Sequence, residues 1–167
     1  MQARIGGPSS DEIGKSPRQR VLLLAMRIGE HAVADWCAEL LNGMVRYDDP
    51  GRPSIQWLGG RHAAVEYGGD DEARRKDYWP RVWAAPGLLY AWDAAAGPAI
   101  VASLHDKAWR VREMSAKVVR LRAIAQAEPI LSRLLDDPVA RVRAAAEAAL
   151  AELASLDRST ESGRSPE

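Results

Sequence analysis

The chain has 167 residues, with 23 basic and 23 acidic side chains, and 47% of it is hydrophobic, with no phenylalanine. That length suits one compact domain, and the alanine-rich apolar content suits close helix–helix packing better than a sheet. Zero formal net charge argues against a protein that lives on phosphate contacts, and the single cysteine, Cys37, excludes an intrachain disulfide and favours a reducing compartment.

Residues 1–16 are polar and rich in Gly, Ser and Pro, and read as a disordered leader without the apolar core of a signal peptide. The longest apolar run, Val21 to Met26, is too short to span a bilayer. A soluble, cytoplasmic protein with no membrane association is expected. Ser16-Pro17 is a helix start, an N-cap followed by proline in the first turn. Val21, Leu24 and Ile28, then Val33, Trp36 and Leu40, follow at helical spacing, with Gly29 as the break and Asn42-Gly43 as the C-cap. One or two helices are expected over 17–42. Asp48-Asp49-Pro50-Gly51 is a turn. A short helix is read from Arg61 to Tyr67 between glycine pairs. Another is expected from about Asp70 to Trp92, disturbed at Pro80 or Pro86. Residues 158–167 read as a disordered tail.

The C-terminal half repeats itself. Pro129 lies 31 residues after Pro98, and at the same offset the apolar positions, Leu104, Asp106 and Arg110-Val111-Arg112 fall on Leu135, Asp137 and Arg141-Val142-Arg143. Each unit reads as a hairpin. A proline starts a short helix, an aspartate ends it and caps the next, and a longer amphipathic helix follows. In the last helix Val139, Val142, Ala146, Ala149, Leu150 and Leu153 form the apolar stripe. One such hairpin cannot bury its apolar face, whereas stacked neighbours can.

These residues resemble HEAT-like repeats of the phycobilisome-lyase type over about 97–156. The resemblance implies an all-α fold, an α-solenoid of HEAT-like helical hairpins, here behind an irregular N-terminal helical layer. It also implies a structural ladder between neighbouring units at the positions of Asp106 with Arg112 and Asp137 with Arg143. A degraded earlier unit is read in 61–92. There Arg81-Val82-Trp83-Ala84-Ala85 and Leu88-Leu89 echo the last helix, although the capping Asp is missing at that offset. One continuous domain over 17–157 is expected. The Trp-rich N-terminal half as a distinct element packed on the repeats is the other possibility.

The candidate binding residues are Trp109, Arg110, Arg141, Trp79 and Trp83. The arginines of the repeats suggest a basic groove, but Asp106, Glu113, Glu128, Asp136, Asp137 and Glu147 nearly balance them, which favours a salt-bridged solenoid surface. All six Trp and all four Tyr lie between Trp36 and Trp109. Without Phe, they are the natural core of the N-terminal layer, though exposed Trp and Tyr are also typical binding anchors. Trp109 is the more suggestive, since its repeat counterpart is Ala140. His62 and Glu66 are one turn apart, but two ligands make no metal site. Cys37, inside an apolar helical pattern, reads as buried and inert. No nucleophile elbow, phosphate loop or zinc spacing is present, so neither cofactor nor catalytic residue is expected.

The leading expectation is a non-catalytic adaptor binding a protein or peptide, with homo-oligomerisation through the C-terminal helix as a further possibility. The alternative is a DNA-binding or DNA-repair protein. Some alkylation-repair glycosylases are similar helical-repeat folds with an arginine-lined cleft. Trp109 with Arg110, Arg112 and Glu113 is the nearest constellation here, and no catalytic residue carries over.

Overall fold

A computed structural model of the chain describes residues 5–67 and 78–162, and all regular structure among them is helical. The chain divides into two compact units, Met1–Ala99 and Ile100–Glu167. The physical reason lies in composition. The Trp-rich N-terminal part builds a core around Trp36 and Trp57, and the Ala- and Val-rich part builds its own around Val111, Val118 and Val142.

In the first unit α1 (Ser10–Ile13) and α2 (Pro17–Ile28) each begin with a capping box, Ser9 with Glu12 and Ser16 with Gln19. The leader expected to lack structure is therefore ordered from residue 5 on. Gly6 also accepts a hydrogen bond from the Trp57 indole at 2.9 Å, and Glu12 pairs with Arg27. Gly29, at φ 92°, separates α2 from α3 (Glu30–Leu41). The end of α3 is a Schellman motif: Met44 N–H donates to Glu39 O and Gly43 N–H to Leu40 O, with Gly43 left-handed at φ 68°. The expected break at Gly29 and stop at Asn42-Gly43 are thus where the helices change.

The fourth helix, α4 (Gln56–Tyr67), is two helical pieces joined at Gly60 (φ 58°, ψ −140°), so the expected 61–67 segment is its second piece. The fifth, α5 (Trp79–Tyr90), starts with Pro80 in its first turn, where a missing N–H costs nothing, and continues through Pro86. The expected start near Asp70 lies outside the described residues. Gly87 lets α5 lie close to α3, because a Cβ there would sit 2.7 Å from the Cys37 sulfur. Cys37 is fully buried, and burial pushes its thiol up to about 12. The native protein is expected to show no thiol reaction with a disulfide reagent at pH 8 until denaturant is added; a fast native reaction contradicts the packing.

The boundary between the units falls within α6 (Gly97–Ser103), which follows a 3-10 turn at Ala94–Ala96. The second unit continues with α7 (Trp109–Arg122), a 3-10 turn at Ala125–Ala127, α8 (Glu128–Leu134) and α9 (Ala140–Ser162). Ser103 and Ser115 share a buried 2.6 Å hydrogen bond between α6 and α7. The longest packing seam is α7 against α9, and α9 buries Val142, Ala145, Ala146, Ala149 and Leu153. Val139 and Leu150, expected in that stripe, are half-buried at its margin. The expected tail overlaps α9, which runs on to Ser162; the rest lies outside the described residues.

α7 ends on Ala123 in the left-handed region, φ 53° and ψ 47°. An L-residue pays roughly 1–2 kcal/mol there that glycine does not. Part of that gain is lost to glycine's freer unfolded chain. Ala123→Gly, at an exposed site, is expected to raise stability by about 0.5–1 kcal/mol, read as a higher urea midpoint at unchanged slope.

Candidate binding surface

The turn before α7 and the turn before α9 are built alike. Asp106 Oδ1 accepts the Ala108 N–H at 2.8 Å, and Asp137 Oδ1 accepts the Val139 N–H at 2.9 Å. Each carboxylate thus caps the amide two residues on, in the turn just before the helix, rather than the helix's first amides. The guanidinium six residues later anchors to the carbonyl of the same aspartate. Arg112 Nη1 donates to Asp106 O at 2.8 Å, and Arg143 Nη1 to Asp137 O at 2.7 Å.

The carboxylate pairing runs between hairpins, not within one. Arg112 Nε and Nη2 grip the two oxygens of Asp137 at 2.8 and 3.0 Å. The rung joins Arg112 to the aspartate of the following hairpin, so it links neighbouring units through two of the four ladder residues. The reason is reach: Nη1 is already spent on the local carbonyl, so the fork's other edge points onward. Burial alone raises the Asp137 carboxyl. The Arg112 and Val139 hydrogen bonds, with the nearby Arg112 and Arg143 charges, outweigh it and hold the carboxyl below its usual range.

Trp109 opens α7 and is half-buried. The Arg110 guanidinium carbon lies 4.5 Å from its ring centroid and that of Arg141, on α9, lies 5.5 Å away. Arg141 is held there by Glu113, which accepts from its Nε at 3.2 Å and lies 3.1 Å from its Nη2. Lys117 adds a bond to the same carboxylate oxygen at 2.8 Å. The Glu113 side chain is 6% exposed while that of Arg141 is 68% exposed. A buried acid therefore holds Arg141 beside the aromatic face and binds Lys117 as well. Glu113 stood in the sequence as a balancing charge and as a member of the Trp109, Arg110 and Arg112 constellation. Its i,i+4 spacing to Lys117 was legible, but its bond to Arg141 needed the hairpin stacking.

Trp79 and Trp83 belong to the other unit. Their rings stack at 5.6 Å with 16° between planes, and the His62 ring meets them edge-on at 4.5 and 5.3 Å. Trp83 is buried and Trp79 half-buried, so the pair packs as part of the aromatic layer. Of the five candidate binding residues, the structure brings Trp109, Arg110 and Arg141 together, and Trp79 with Trp83 separately. Among the described residues no group of three His, Cys, Asp or Glu side chains is placed to hold a metal ion. A hollow of about 400 Å³ in the first unit is lined by Tyr47, Asp49, Arg52, Gln56 and Tyr67 among others. Its charged groups are spent within the protein, Asp49 on the Arg46 N–H and Arg52 on Glu39.

A HEAT repeat family model matches residues 128–156, which are α8 and most of α9. The second hairpin is therefore HEAT-like, and the described fold is all-helical in the manner of an α-solenoid. Neither a search of curated proteins nor one of solved structures found a match. No helix among the described residues is long and apolar enough to cross a membrane.

Proposed function

We propose that this protein is a non-catalytic adaptor that binds a protein or peptide partner, with Trp109, Arg110 and Arg141 as the anchor of its binding surface. The observation that carries this reading is the half-buried indole flanked by two guanidinium groups, one held in place by buried Glu113. Trp and Arg are the side chains most often found at the energetic centre of protein interfaces. Pre-positioning Arg141 through Glu113 lowers the ordering cost of using it. The HEAT repeat match over residues 128–156 supports the same reading, since stacked helical hairpins offer extended binding surfaces.

The test compares crosslinked pull-downs from cell extract using the wild type, Trp109→Ala and Arg141→Ala, with thermal unfolding as the folding control. A protein captured by the wild type is expected to be lost at least tenfold with both variants, equal to about 1.4 kcal/mol. Capture unchanged by either variant overturns the assignment. So does tight binding of duplex DNA that falls steeply with salt and depends on Arg141, which makes the surface a phosphate site.

A further inference from the structure

We propose that the outward face of α9, with Arg143 at its head, is a docking surface for a helical hairpin of another chain that carries an aspartate in its turn. The template is inside the molecule. Arg112 is anchored through Nη1 to the turn carbonyl six residues back, and its Nε and Nη2 edge grips the aspartate of the next hairpin. Arg143 has the same anchor, Nη1 to Asp137 O at 2.7 Å, which leaves its Nε–Nη2 edge for a further acceptor. Arg143 is exposed, and among the described residues no carboxylate is bonded to its Nε–Nη2 edge.

The flanking helix face carries the same message. On α7, Glu113, Ala116 and Val119 are buried, and Glu113 is the residue that Arg141 of α9 touches. At the same 31-residue offset α9 presents Ala144, Glu147 and Leu150, of which the first two are exposed and the third half-buried. A helix face that the next hairpin covers in one repeat is thus bare in the following one, beside a guanidinium whose Nε–Nη2 edge is left for a bidentate carboxylate. A second copy of this chain is the poorer occupant. Its Asp137 already holds Arg112, and Asp106 is engaged as well. The surface is distinct from the Trp109 patch and stands without it.

The experiment supplies the occupant. The chain is continued in register by repeating residues 123–156 after Leu153, which sets a copied turn aspartate 31 residues beyond Asp137. The added hairpin is expected to dock on α9, to raise Tm by several degrees and to protect α9 amides from hydrogen exchange. Arg143→Ala in the continued chain should remove most of that gain, as should Ala at the copied aspartate, while Arg143→Ala costs the original chain a smaller drop in Tm, that of its bond to Asp137 O alone. An added hairpin that exchanges freely, or a gain indifferent to Arg143, overturns the proposal. Sedimentation of the original chain should show a monomer; self-association abolished by Arg143→Ala would make a second copy the occupant and also overturn it.

Discussion

Arg112→Ala is expected to lower the unfolding free energy by about 3 kcal/mol, the largest loss of any surface-reachable charge in the second unit. The Asp137 side chain is 3% exposed and that of Arg112 13% exposed, so removing Arg112 leaves a largely buried carboxylate without its charged partner. The substitution also strips donors from the Asp106 and Lys107 carbonyls. The variant Arg112→Lys keeps the charge but not the fork, and should recover only part of the loss. A double-mutant cycle with Asp137→Asn, which keeps an acceptor for the Val139 amide, should give a coupling above about 1 kcal/mol. The rung also sets a pH dependence. Asp137 titrates below its unfolded value of about 3.9, so its contribution is complete above that value and fades as pH falls through the folded one. The gap between wild type and Arg112→Ala should therefore narrow below about pH 4. A gap that widens on acidification contradicts the assigned pairing.

Gly60→Ala should cost about 3 kcal/mol or more, for two reasons that add. Gly60 joins the two pieces of α4 at φ 58° and ψ −140°, a conformation that an L side chain rarely adopts. A Cβ there would also lie 2.6 Å from the Arg20 guanidinium carbon and 2.7 and 2.8 Å from its terminal nitrogens. That guanidinium is not free to yield. Arg20 is 6% exposed, and it donates to Trp57 O at 3.2 Å, to Leu58 O at 3.0 Å and to Lys15 O. Moving it orphans three carbonyls and leaves a buried charge poorly solvated. Gly29→Ala is the control. Gly29 also has positive φ, at 92°, but its Cβ would meet open space, so the cost should be backbone strain alone, about 1–2 kcal/mol. Equal losses at the two positions would show that Arg20 is not the obstacle.

The parts of this fold legible in the sequence are those written in local rules. Ser16-Pro17, Gly29 and Asn42-Gly43 each act within a turn or two, and helix ends stand at all three. The 31-residue repetition likewise placed two hairpins, because Pro and Asp mark helix starts and turns wherever they fall. Three features depended on distant contacts and were not legible. The leader is ordered because Trp57 reaches Gly6 and Arg27 reaches Glu12, which a local reading of Gly, Ser and Pro cannot foresee. The resemblance implied a ladder between neighbouring units, but not that Arg112 holds its own turn's carbonyl with one edge of the fork while the other edge reaches Asp137. The break inside α4 marks where Arg20 is housed, and the buried arginine had no signal in a helix that otherwise read as amphipathic. Of the candidate site, residue types pointed to Trp109, Arg110 and Arg141. That Glu113 locks Arg141 over the indole is a consequence of stacking α9 on α7.

The measurement that bears most directly on the proposed function is hydrogen exchange of the full chain with and without its captured partner. The adaptor reading predicts added protection in the first turns of α7 and α9, around Trp109 to Glu113 and Ala140 to Ala144, lost again in Arg141→Ala. Protection confined to other segments, or none there at saturating partner, would contradict it.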